Sequence, residues 1–319
     1  MGRGYVGSVA DIPLPTYDDI RAAVALIAPW IRRTPILEVD VAGRPVTLKL
    51  ELFQHSGSFK ARGAFTSVLS APEPPTALVA ASGGNHGLAV AHVGHRLGIP
   101  TRIFVPEAAP AVKVDAIAAL GAEVDRVGST YAEAFLASRE AAERPGVLAL
   151  HAYDSFGTVT GQGTLGVEIG QQVPDVDTVL LAVGGGGLCS GVTLGLAGSR
   201  PAARVVAVEP TTCPTLHDAL AAGAPVDVQV GGVAADALGA SRLGRIAFAA
   251  VTAHRTASLL VEDAAILEAR RWLWREARVA AEPAGATALA AVLTGAYVPS
   301  DGERVCVVVC GGNADPAGL

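Results

Sequence analysis

The sequence is poor in aromatic residues, which fill 5% of its 319 positions although half of all residues are apolar. Alanine, valine and leucine must therefore supply the core, and side chains this small let helices pack tightly. Cysteine is scarce as well. Cys189, Cys213, Cys306 and Cys310 are scattered without CxxC spacing, which argues against a disulfide framework or a zinc site and fits a reducing, cytoplasmic setting. A basic excess is also missing: the net charge of -6 implies no general affinity for nucleic acid or for an anionic membrane. Near the N-terminus Arg3 is followed by Gly7, Asp11, Pro13 and Pro15 with no apolar stretch, so no secretory signal is expected. The longest uncharged run, residues 178–199, contains four consecutive glycines and reads as strand, loop and helix rather than a membrane span. No internal repeat or low-complexity tail is found.

At this length two domains are expected. Short β-branched runs at 46–50, 77–81, 101–105, 178–183, 204–208 and 305–309 alternate with alanine-rich stretches, and several are apolar throughout. Strands of that kind are covered on both faces, which predicts a parallel α/β architecture. A helix is expected between Gly87 and Gly98, and another over 113–120 that stops near Gly121. Residues 77–127 thus read as two βαβ steps forming a small lobe, with turn-rich crossings at 71–75 and 153–157.

Four motifs carry chemistry. Lys60 in "HSGSFKARGAF" follows Phe59 at a helix start, where partial loss of hydration would free its amine for Schiff-base formation; a solvated helix-start lysine explains the same pattern. "ASGGNHG" joins a strand to a helix, so its open backbone N–H groups suit an anion such as a carboxylate, with Ser82, Asn85 and His86 as side-chain donors. An ordinary helix-capping turn is the alternative. Gly184, Gly185, Gly186 and Gly187 let the chain wrap closely around a phosphate. The spacing is not the GxGxxG of a dinucleotide site, although Glu209 could imitate its ribose-binding acid, and no GK[ST] follows to make a P-loop. In "VCVVVCGGN" the Cys310 thiol is either a small core group or a neutral partner for a heterocycle nitrogen.

Together with "VEP" at 208–210 and "EPAGA" at 282–286, these motifs run in an order that resembles the fold type II pyridoxal-phosphate (PLP) enzymes, and within them the threonine/serine dehydratase (ammonia-lyase) group. The resemblance implies a tryptophan synthase β-like α/β fold with two open, twisted, mostly parallel sheets. Residues 1–75 and 154–319 would form the large cofactor-binding domain, with 76–153 inserted as the small one. It implies that Lys60 forms the internal aldimine and that Phe59 lies beside the ring. Asn85 would bond the phenolic oxygen, and Gly184, Gly185, Gly186, Gly187 and Leu188 would hold the phosphate. Cys310 would face the pyridine nitrogen, while Ser82, Gly83, Asn85 and His86 would take the substrate carboxylate. A homodimer acting on a small amino acid is expected, converting L-threonine, L-serine or a related β-hydroxy amino acid to a 2-oxo acid and ammonia. The Lys60 amine would take the α-proton, and the cofactor phosphate would help the hydroxide leave as water. Elimination or β-replacement on another β-substituted amino acid is the alternative within the fold. A nucleotide-binding Rossmann protein would account for the glycines alone.

Three departures from the pattern refine this expectation. Racemases of the group place a serine two residues before the asparagine as a second acid/base group, and here that position is Gly83. Metal-activated members place a carboxylate about six residues after the glutamate of "VEP", where this chain has Thr215, so no metal is expected. The sequence ends soon after its last motif, without the regulatory domain of biosynthetic threonine dehydratases. His92 and His95 read as surface histidines, and 269–278 as an amphipathic helix with solvated arginines and packed Trp272 and Trp274.

Overall fold

The computed structural model describes residues 12–315; the expectations placed on Arg3, Gly7, Asp11 and Leu319 lie outside them. Among the described residues ten strands form two sheets, one of six strands and one of four. Helix α1 (Tyr17–Ile27) precedes a hairpin of β1 (Ile36–Val41) and β2 (Arg44–Lys49), and α2 (Lys60–Leu69) follows it. The second sheet then develops through β3 (Ala77–Ala81), α3 (Asn85–Leu97), β4 (Thr101–Val105), α4 (Ala111–Ala118), β5 (Glu123–Arg126), α5 (Tyr131–Ala141) and β6 (Val147–Ala149). Its order, β5-β4-β3-β6, is parallel throughout.

The chain returns to the first sheet with α6 (Phe156–Gln172), β7 (Thr178–Ala182), α7 (Gly187–Ser199), β8 (Arg204–Pro210) and α8 (Thr215–Ala222). It ends with α9 (Ala235–Leu238), α10 (Arg245–Ala253), β9 (Ala257–Val261), α11 (Asp263–Ala277), α12 (Pro283–Leu293) and β10 (Val305–Val308). The order β1-β2-β10-β7-β8-β9 places the last strand between β2 and β7. Only β1 runs antiparallel, because the two-residue turn of Ala42 and Gly43, both at positive φ, reverses the chain tightly. The sequence pattern does not single out β1, β5, β6 and β9. Much of their surface is half-buried or exposed, so they lack the continuous apolar runs that mark the central strands.

Scarce aromatics and abundant small residues are resolved by helix pairing. In α6 and α7 the backbones touch: a Cβ on Gly195 would lie 2.2 Å from the Gly163 carbonyl oxygen, and one on Gly166 2.6 Å from that of Val192. Two residues beyond Gly166, at Glu168, a buried charge cluster ties α6 to α2 and β2. Arg62 Nη2 meets Glu51 Oε1 at 2.8 Å and Glu168 Oε2 at 2.9 Å, while Lys49 Nζ meets Glu168 Oε1 at 2.5 Å. All four side chains are buried; two cations and two anions balance, which makes burial tolerable.

Three expectations about side chains change. His92 is not at the surface: its ring stacks on His55 at 5.0 Å and meets the edge of Phe65 at 6.0 Å, while His95 is exposed. In α11 the buried arginine is Arg270, which donates to the carbonyls of Ala281 and Asp315. Trp274 is exposed with Arg278 over its ring, and Trp272 is partly buried. The helix is amphipathic, but its buried stripe is Ile266, Ala269, Arg270 and Leu273, which takes in one arginine and leaves Trp274 outside. Among the described residues no helix is long and apolar enough to cross a membrane.

Candidate active site

The motifs converge where the strand ends of the two sheets face each other. Lys60 is the first residue of α2, held there by the loop before it. Phe59 N–H donates to Cys310 O at 3.2 Å and Gly312 N–H to Gly57 O at 3.0 Å, so "GSFK" and "CGGN" form one backbone unit. The Lys60 ammonium lies 5.2 Å from the Phe59 ring centroid and donates to Ala152 O at 2.7 Å. Burial lowers its pKa to about 8, against the weaker opposing pull of Cys310 and Glu282.

The turn at 82–86 follows β3 and opens α3. Gly84 N–H donates to Ser82 Oγ at 3.2 Å, which shapes the turn and leaves the serine hydroxyl proton available. Gly84 is the N-cap of α3 with no side-chain cap, so the first N–H groups of the helix remain open to an anion. His86 is buried, with Nε2 3.0 Å from Leu150 O. Burial, aided by the Lys60 charge, holds its pKa down to about 3. A neutral His86 therefore offers an anion its backbone N–H ahead of its ring. Gly83 has ordinary room beside it, 3.7 Å from Val105 Cγ1 to a built Cβ.

Asn85 bridges the two sheets. Its Nδ2 donates to Glu282 Oε1 at 2.6 Å, and its Oδ1 accepts from Asn313 Nδ2 at 2.7 Å. One amide hydrogen is left for a further acceptor. Glu282, quoted in the "EPAGA" motif without a role, is a residue of the cleft that sequence reasoning missed; burial raises its carboxyl to about 7. Its only advance signal is that motif, since pairing with Asn85 spans 197 positions.

Gly184, Gly185, Gly186, Gly187 and Leu188 form the turn from β7 into α7 and line a cleft with Phe59, Lys60, Asn85, Glu282 and Cys310. Gly186 has φ +89°, and a Cβ on Gly185 would fall 2.3 Å from Tyr153 Cγ. Side chains would fill this cradle, whereas glycines leave free N–H groups at a helix start, the donor set a phosphate needs. Cys310 is buried and donates its S–H to Ala284 O at 3.5 Å; burial pushes its thiol far up, so it stays neutral. The residues thus fit PLP: an amine of lowered pKa, a glycine cradle suited to a phosphate, and an uncharged thiol in the same cleft.

The cleft continues into a cavity of about 480 Å³ lined by Lys60, Ser82, Gly83, Asn85, His86 and Tyr153. Lys113, expected on a surface helix, also reaches it and is ion-paired with Asp236 of α9. That contact joins α4 to the large sheet's layer, and no local pattern in α4 announces it.

Comparison with known proteins agrees with this geometry. A family model described as pyridoxal-phosphate dependent enzyme matches residues 27–311. An L-threonine ammonia-lyase of Thermotoga maritima is 34% identical over 306 residues, which cover 94% of this chain and 76% of that protein. A serine racemase of Oryza sativa subsp. indica is 34% identical over 324 residues, covering 97% of this chain and 92% of that one. The solved structure of maize serine racemase superposes with a TM-score of 0.89 at 32% identity, covering 95% of each chain. With Lys60, the glycine cradle and the Cys310 thiol set around one cleft, the chain belongs to the fold type II family of pyridoxal-phosphate-dependent enzymes.

Proposed function

We propose that the enzyme removes water and then ammonia from a β-hydroxy amino acid such as L-threonine or L-serine, leaving a 2-oxo acid. Residues 76–153 act as the small lobe that closes the substrate side of the cleft. Relatives named for ammonia-lyase and for racemase activity are equally identical to this chain, so overall similarity does not separate the two reactions. The observation that favours elimination is Gly83. A racemase needs a second proton-bearing group facing the α-carbon, and the position where racemases of this group carry serine has no side chain here.

The open N–H groups at the start of α3 and the Ser82 hydroxyl bind the substrate carboxylate. Bound PLP supplies the sink for the electrons left at the α-carbon. Lys60, whose buried amine has its pKa lowered to about 8, takes the α-proton. Cys310 stays neutral and adds no charge beside the ring, which suits elimination over a long-lived carbanion. Alanine and glycine on the outer wall, among them Ala109, Ala235 and Gly239, leave room for side chains larger than that of threonine.

The test is release of 2-oxo acid from a panel of L-serine, L-threonine and β-aryl-serines, with chiral analysis of unreacted substrate. Turnover of at least one member without its D-enantiomer supports the reading. Racemization faster than 2-oxo acid release overturns it.

A further inference from the structure

Residues 150–154, between the small sheet and α6, hold a different part of the site at almost every position. Leu150 O accepts from His86, and Leu150 N–H donates to Val79 O of β3 at 2.9 Å. Ala152 O accepts from the Lys60 amine. The Tyr153 ring rests on Gly185, and Tyr153 Cα lies 2.9 Å from where a Cβ on Gly187 would sit. Asp154 Oδ1 accepts from Ile246 N–H at 3.0 Å in the first turn of α10. His151 folds this segment from within: its Nδ1 accepts the Tyr153 N–H at 3.3 Å and the Asp154 N–H at 2.9 Å, while its carbonyl accepts from Thr158 Oγ1 at 2.9 Å. A nitrogen that accepts two N–H groups carries no proton, so the ring is the Nε2–H tautomer. It is wedged between the edges of Phe135, at 5.9 Å, and Tyr153, at 4.7 Å.

We propose that His151 is a positioning residue: its unprotonated Nδ1 folds residues 151–154 and so places both the acceptor for the Lys60 amine and the Tyr153 cover over the glycine cradle. A proton on Nδ1 turns the acceptor into a third donor facing two others, and the turn opens. Burial is the main force against that proton. Lys60 of α2 and Arg139 of α5 add to it, His86 faces the ring from α3, and Asp154 alone pulls the other way; the net pKa lies below the ordinary 6.5. The site therefore stays assembled in mild acid and comes apart below that range.

The inference rests on Lys60 as the cofactor-bearing amine and is independent of which amino acid is consumed. Imidazole ¹⁵N spectra of the holoenzyme, assigned by loss of one signal in His151→Asn, should show a neutral Nε2–H ring whose titration lies below pH 6.5. An Nδ1–H tautomer, or titration at or above that pH, overturns the proposal. His151→Asn keeps an acceptor at the same place without titrating. At pH 8 it should retain kcat within about threefold, with its acid limb moved to lower pH, whereas His151→Ala should lose about a hundredfold in kcat through misplacement of the amine. An unchanged acid limb in the first variant, or full kcat in the second, contradicts it. The visible band of the borohydride-reducible Lys60 adduct, followed against pH in all three proteins, gives the same comparison. It does so even if no substrate of the panel is turned over.

Discussion

Lys60 combines a dry setting with one carbonyl acceptor, and its chemistry should follow pH accordingly. The rate at which cofactor-free protein gains a borohydride-reducible adduct with PLP should climb as pH rises to about 8 and level off above, because the neutral amine is the attacking form. Lys60→Ala should lose the adduct altogether; an adduct at Lys113, which lines the same cavity, would reassign the amine. At Gly83 the backbone does not require positive φ and a Cβ meets only ordinary contacts. Gly83→Ser should fold, bind PLP and gain weak α-proton exchange, read as deuterium incorporation into unreacted substrate. For Cys310, serine keeps a neutral hydrogen-bonding group, while Cys310→Asp places a carboxylate beside the ring. The aspartate variant should lose about tenfold or more in 2-oxo acid release, and equal rates in both would make the thiol mere packing. These residues were legible because each sits in a short motif, Gly83 and Cys310 after strand ends, where α/β proteins concentrate chemistry, and Lys60 at a helix start. Glu282 and Tyr153 were not, since their contacts with Asn85 and with the glycine cradle join distant parts of the chain; His151 acts over three positions only, but nothing in its segment marks its ring as the acceptor of a turn.

At the scale of elements, the central strands were readable from unbroken apolar runs, and the alternation of strand and helix gave the parallel architecture. Edge strands such as β5, with its Glu123, Asp125 and Arg126, present charged side chains to solvent and read as loop. The helix pair α6 and α7 shows how a chain low in aromatics reaches a dense core: glycine lets one backbone lie on the other. Gly195→Ala forces a Cβ within 2.2 Å of the Gly163 carbonyl oxygen. It should lower stability by about 1–3 kcal/mol as overpacking, whereas Gly83→Ala should be close to neutral. Denaturant midpoints of the two variants at equal m-value check the contrast.

For the whole molecule, the buried cluster of Lys49, Glu51, Arg62 and Glu168 joins α2, which carries Lys60, to β2 and α6. Arg62→Met leaves two buried carboxylates with a single cation and should cost about 3–5 kcal/mol. Its pH signature has a definite sign. Burial raises the Glu168 carboxyl, but the Arg62 and Lys49 charges more than offset it and hold the pKa below 4.5. The native stabilisation is thus complete above that value and is lost as pH falls through the lower folded one. In Arg62→Met acid unfolding should begin at a higher pH than in the wild type, a shift visible by circular dichroism.

The strand order has a consequence for the making of the protein. Among the described strands β10 leaves the ribosome after all the others, yet it is the plank between β2 and β7, and the backbone of Gly57 and Phe59 is fastened to residues just beyond it. Until it arrives, the large sheet is two separate ribbons with bare inner edges, open to pairing with other chains. The amine at residue 60 and the cradle at 184–187 belong to different ribbons at that stage. A nascent chain that stops short of β10 therefore holds every earlier motif but no pocket, and cofactor capture waits for that strand.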